Sequence, residues 1–171
     1  MSEKKKLILG VDNGTSGTMA LLTEEGEVLL FIETPKKIEQ SYTKAKQNIS
    51  RVDTVALREI LSKYRSEEYR VVCVIERPLV NPRLFKTTLS AMRALEATLC
   101  LIEEFGFSRM YCDSKQWQKV LLPAGLKGSE EQKKASMDIG IRLFPEHKEL
   151  ISKHKDADGL LIAEWARRAQ L

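Results

Sequence analysis

Carboxylates that close apolar runs are the residues of this chain best suited to chemistry. Asp12 ends the run LILGVD and Glu76 ends VVCVIE. Both runs are too apolar for a surface strand, so each acid stands at the mouth of a buried one. Far along the chain, Asp158 precedes Ile162 and Trp165 by four and seven residues, on the face of a helix that packs inward. Carboxylates brought together repel, and at neutral pH the group is stable only if a proton is shared or a cation sits between them. A hard divalent cation, which prefers oxygen ligands and keeps several waters, is the usual answer. The plain alternatives are strand-end acids capping a turn for Asp12 and Glu76, and a first-turn acid on a helix dipole for Asp158.

The elements that would position these acids can be read in order. KLILGVD, GTMALLT and VLLFIET are three strands joined by the turn clusters NGTSG and TEEGE. Turns that tight make them antiparallel. Residues 35–52 carry Lys36, Lys37, Lys44, Lys46 and Arg51 with few apolar residues, which predicts a long polar loop. Asp53 then caps the amphipathic run TVALREILSKYR, and YRVVCVIE follows as a fourth, buried strand. A right-handed crossover of this kind lays the first and fourth strands side by side and parallel, so Asp12 and Glu76 meet at the edge where open α/β sheets bind ligands.

Met92, Leu95, Leu99 and Ile102 recur at helical spacing in a longer helix stopped by Gly106, and FSRMYCD supplies a fifth strand. Asp113 or Ser114 caps KQWQKVLL, Ser129 with Gln132 forms a capping box ahead of EQKKASMDIGIRLF, and a last helix begins near Asp156. The layout is α/β: a mixed five-stranded sheet, three strands antiparallel and then two parallel, with helices on both faces.

Composition narrows the setting. At 171 residues and 19.5 kDa, residues 1–171 are expected to form a single domain. Hydrophobic residues at 43% and charged residues at 30% describe a chain that packs rather than a disordered one. A net charge of +4 permits a polyanionic partner without demanding one. With neither a membrane-length apolar run nor a cleavage site after MSEKKK, the protein is expected in the cytoplasm, with no membrane partner. Cys73, Cys100 and Cys112 lack CxxC spacing and read as buried, reduced fillers.

The chain resembles the RuvC-type Holliday junction resolvases of phages and prophages, within the RNase H-like nucleases. The resemblance spans nearly the whole chain and rests on LGVDNGTSGTMALL, VIERP, DSKQWQKVLL and LFPEHKELISKHKDADGLLIAEWARR. It implies an RNase H-like fold, catalytic and metal-ligating roles for Asp12, Glu76 and Asp158, and Mg²⁺, with Mn²⁺ as a substitute, at two ions per active site. It further implies branched DNA as substrate and hydrolysis of phosphodiester bonds near the junction. Two ions about 3.5–4 Å apart would serve the nucleophile and the leaving oxygen of one scissile phosphate.

Two positions depart from that pattern. Asn13 stands where relatives often carry proline, a change that a turn absorbs. The fourth ligand usually lies three or four residues ahead of the last Asp, where this chain has Lys155 and His154, with an acid, Asp156, only two ahead. Helical spacing favours His154, whereas ligand chemistry favours Asp156 at an N-cap. Both stay candidates.

Basic side chains are expected around the site: Lys36, Lys37, Lys44 and Lys46 in the loop, Arg77, Arg83 and Lys86 after the fourth strand, and Lys115 and Lys119 after the fifth. Phe85 or Leu79 could wedge into an opened junction, while Trp117 reads as core. Two symmetric nicks predict a homodimer, with the helix of residues 88–105 as its interface. The competing readings are a junction-binding protein without catalysis and an actin-like or sugar-kinase ATPase. GVDNGTSG resembles the latter's phosphate turn, but the chain is short for a two-domain cleft, and no nucleotide cofactor is expected.

Overall fold

A computed structural model describes residues 4–171. In chain order the elements are β1 (Lys5–Val11), β2 (Thr18–Thr23), β3 (Val28–Glu33), β4 (Lys36–Gln40), β5 (Asn48–Val52), α1 (Thr54–Ser62), β6 (Tyr69–Glu76), α2 (Phe85–Phe105), β7 (Ser108–Cys112), α3 (Ser114–Leu121), α4 (Gly128–Leu143), α5 (Lys148–His154) and α6 (Asp158–Arg168). The main sheet runs β3-β2-β1-β6-β7. β1, β2 and β3 pair antiparallel, and β1–β6 and β6–β7 pair parallel. The mixed five-stranded α/β sheet expected from the sequence is the one observed.

Period-two alternation sends successive residues of β1 to opposite faces. Leu7, Leu9 and Val11 pack with Leu57 of α1 and Leu101, Ile102 and Phe105 of α2. Ile8 packs on the other face with Leu160, Ile162 and Ala163 of α6. The core is thus two apolar layers with the sheet between them.

Helix α6 is almost wholly buried, and glycines let it come closer to the sheet than side chains permit. A Cβ at Gly10 would stand 2.4 Å from Gly159 O and 2.5 Å from Ala163 N, and one at Gly159 would stand 2.6 Å from Thr18 O. Backbone therefore packs on backbone where α6 crosses β1 and β2.

Several expectations need correction. The loop expected over residues 35–52 contains the β4–β5 hairpin, in register Lys36↔Val52 to Gln40↔Asn48 and lying apart from the main sheet. Its strands are mostly polar, so the apolar alternation that marks a half-buried strand is missing. A cross-strand ion pair joins the two strands instead, with Arg51 Nη1 donating to Glu39 Oε2 at 2.6 Å, while Lys37 Nζ lies 3.0 Å from Glu39 Oε1 within β4.

No capping box forms at Ser129, because α4 begins at Gly128 with Lys127 as its cap residue. Asp53 does cap α1, accepting from Val55 N and Ala56 N, and Gln116 Oε1 accepts from Asp113 N at 2.7 Å where α3 begins. Cys73 and Cys112 are buried, but Cys100 is exposed. The sheet-facing stripe of α2 is Ala94, Thr98, Leu101, Ile102 and Phe105, and Met92 faces outward. Among the described residues, no helix is long and apolar enough to cross a membrane.

Candidate metal centre

Parallel pairing aligns Val11 with Ile75, which puts the next residues, Asp12 and Glu76, side by side at the C-terminal edge of the sheet. From the face above, α6 begins at Asp158, and the close crossing at Gly10 and Gly159 carries its first turn onto that edge. One carboxylate oxygen from each of Asp12, Asp156 and Asp158 lies within 4.8 Å of the others.

Asp156 is only 1% exposed. Its Oδ1 accepts from Thr18 Oγ1 and from Asp158 N, both at 2.8 Å, and its Oδ2 accepts from Lys133 Nζ of α4. Thr18 Oγ1 in turn accepts from Gly159 N at 3.0 Å, which ties β2 to the start of α6. Asp158 accepts from Ser136 Oγ of α4, and Glu76 Oε2 accepts from Trp117 Nε1 at 2.6 Å.

The electrostatics follow from burial and crowding. Desolvation, then the charges of Asp156, Asp158 and Glu76, hold Asp12 well above the usual carboxylate range. Burial pushes Glu76 to about 7 against the lowering effect of the Trp117 hydrogen bond, with Asp158 and Asp156 adding repulsion. Burial and Asp156 raise Asp158 to about 6, against the Ser136 hydrogen bond. Burial works against the charge of Lys133, but Asp156, Asp158 and Asp12 outweigh it and leave its pKa raised.

Four carboxylates thus share one edge with one ammonium, and burial and crowding disfavour the anions of Asp12, Glu76 and Asp158. This is an all-oxygen donor set with surplus negative charge and little competing solvent, which fits a hard divalent cation.

His154 is not in this group. Lys155 adopts φ 54, a left-handed residue that ends α5 and breaks the helical register linking His154 to Asp158. The imidazole instead packs edge-on to Phe31 at 5.1 Å between ring centroids, with Nδ1 3.6 Å from Glu33 Oε1. Nor is Asp156 the N-cap; that residue is Ala157, and Asp156 reaches forward to Asp158 N from one position earlier.

The basic residues separate. Arg77 directly follows Glu76, stacks on Tyr111 at 5.4 Å and lies 3.5 Å from Asp113. Lys115 and Lys119 are exposed on α3, the helix whose Trp117 touches Glu76. Arg83 is exposed in the turn before α2 and Lys86 at the start of α2, and Lys36, Lys44 and Lys46 are exposed on the hairpin. Lys37 is tied to Glu39.

Lys133, Ser136 and Thr18 were not foreseen as part of the site, and their types carried no distinguishing signal. Trp117 did carry one: a fully buried indole needs an acceptor for its N–H, and Glu76 is that acceptor.

No protein-family model matches the chain, and no curated sequence does. Solved structures do. Thermus thermophilus RuvC in complex with Holliday junction substrate matches with a TM-score of 0.59 at 14% identity, covering 96% of this chain and 95% of that one. A second Thermus thermophilus RuvC structure matches at 0.50 and 15% identity, covering 96% of each chain. The chain has the RuvC fold. In this RuvC fold the acids take the C-terminal edge of β1 and β6, α6 closes over them, and α3 and α4 supply Trp117, Lys133 and Ser136.

Proposed function

We propose that the protein is a divalent-metal-dependent endonuclease that resolves four-way or other branched DNA junctions. The observation that carries this reading is the convergence of Asp12, Asp156 and Asp158, with Glu76 beside them, at the sheet edge of a RuvC fold. Asp12, Glu76, Asp158 and Asp156 would hold Mg²⁺ or Mn²⁺, two ions per site, and the ions would supply an activated water and stabilise the leaving oxygen.

The surrounding residues have separable tasks. Thr18 and Ser136 orient the carboxylates of Asp156 and Asp158, and Trp117 fixes Glu76, so three of the four acids are held in place before any ligand arrives. Lys133 offsets part of the negative charge that would otherwise repel a phosphate. Arg77, Arg83 and Lys86, with Lys115 and Lys119 and the hairpin's Lys36, Lys37, Lys44 and Lys46, are the residues to meet DNA phosphates, which position the substrate without reading its sequence.

Two nicks across a junction require two sites, hence a homodimer. Supporting this, α2 and the turn before it leave Leu84 51%, Phe85 69%, Leu89 44% and Met92 43% exposed in a row. A DNA substrate of this kind implies work in the cytoplasm.

The test is a synthetic four-way junction incubated with Mg²⁺. The expected result is symmetric nicking that EDTA abolishes and Asp12→Asn removes while junction binding persists, because the change deletes a ligand and a charge facing phosphate. Nicking that survives EDTA would refute the reading.

A further inference from the structure

We infer that the groove between the β4–β5 hairpin and α2 is a second phosphodiester-binding site, one that holds the backbone of a DNA arm beyond the cleavage centre. The inference rests on the DNA-binding reading above and on features that the metal centre does not use.

The groove encloses about 420 Å³. Thr15, in the turn that follows Asp12, is among its lining residues, and Asn13 of the same turn donates from Nδ2 to Ala91 O of α2 at 3.1 Å. The groove is therefore lined in part by the turn next to the first site acid, and that turn is tied to α2, which lines the groove as well.

Its walls bring three guanidinium groups together, those of Arg51, Arg58 and Arg93, against one lining carboxylate, Glu96. Arg51 is paired with Glu39 and Arg58 with Glu104. Arg93 makes no hydrogen bond or ion pair among the described residues, and its buried Nε has no acceptor. Ser50 Oγ, on the opposite wall, is likewise buried without a partner.

A buried donor left unmatched costs stability, and Arg93 and Ser50, both lining this groove, each carry one, which points to an acceptor that arrives from outside. The ring of Tyr42 holds the arrangement, with the guanidinium carbons of Arg51 and Arg93 each 5.7 Å from its centroid. Two like charges gathered on one ring, beside an unmatched Nε–H and a hydroxyl, suit a phosphate oxygen that accepts from both walls. A continuous nucleic-acid backbone satisfies this while also occupying the site edge.

The experiment measures binding of a fluorescent four-way junction, without divalent metal, across a series of salt concentrations. Arg93→Gln is expected to weaken binding about fivefold or more and to reduce the slope of log affinity against log salt by about 0.9, the loss of one phosphate contact. Arg93→Lys keeps the charge and should restore the slope. Ser50→Asp, on the hairpin, places a carboxylate in the groove and should weaken binding at least as much, so the result does not depend on one variant folding.

Wild-type affinity and slope in Arg93→Gln and Ser50→Asp, with the wild-type protein binding the junction, would overturn the groove and leave the nuclease reading intact. A wild-type protein that binds neither junction nor duplex would overturn both.

Discussion

Replacing Glu76 with glutamine should make the metal-free protein more stable while ending its activity. Glu76 has a pKa of about 7 in the fold against 4.5 for the ordinary side chain. Between those values the native state holds a proton that the unfolded chain releases, so stability falls as pH rises through the window and stays lost above it. A shift of that size corresponds to about 3 kcal/mol. Glutamine cannot ionise, and its Oε1 can still accept from Trp117 Nε1, so the variant escapes the loss and keeps the hydrogen bond. Glu76→Gln should therefore match wild type at pH 4.5 and exceed it by about 3 kcal/mol at pH 8, which for a domain of this length is a rise of about 6–12 °C in Tm. Urea unfolding in EDTA at the two pH values measures the difference. On the proposed metal-binding reading, saturating Mg²⁺ should narrow the gap at pH 8, because the ion would stabilise wild type by mass action and would bind the variant weakly. An advantage that is absent at pH 8, or equal at both pH values, would refute the account of Glu76 as a desolvated anion.

The fourth acid can be separated from its neighbour by comparing Asp156→Asn with His154→Ala: nicking should fall by about 10²-fold or more in the first and stay within about threefold of wild type in the second. Gly10→Ala should lower stability by about 1–3 kcal/mol, read by urea unfolding, since its methyl group meets the backbone of α6. For the proposed dimer, Leu89→Asp combined with Met92→Asp should shift sedimentation from dimer to monomer at micromolar concentration while leaving far-ultraviolet circular dichroism unchanged.

What could be read from the sequence were the features that a chain segment encodes by itself. The runs ending in Asp12 and Glu76 are apolar enough to mark buried strands, and strand order then put the two acids together without further information. The hairpin of residues 36–52 escaped because its strands are mostly polar and are joined by the pair of Glu39 with Arg51, a cross-strand contact visible only once the pairing is known. The choice between Asp156 and His154 was open for a different reason. Spacing on an assumed continuous helix placed His154 beside Asp158, and a single left-handed residue, Lys155, undid that periodicity. Lys133 and Ser136 arrive from a helix more than twenty residues upstream, and their contacts with Asp156 and Asp158 depend on how α4 packs, which local pattern does not reveal.

The crossing at Gly10 and Gly159 bears on how far such a protein can diverge. Main chain rests on main chain there, so the distance between β1 and the first turn of α6 is set by peptide atoms that every sequence possesses. Substitutions elsewhere in the two apolar layers can accumulate and compensate one another over generations while the spacing of Asp12 and Asp158 stays fixed, provided both glycines persist. A fold spaced this way can persist with little sequence likeness, as the match to Thermus thermophilus RuvC at 14% identity over 96% of this chain illustrates.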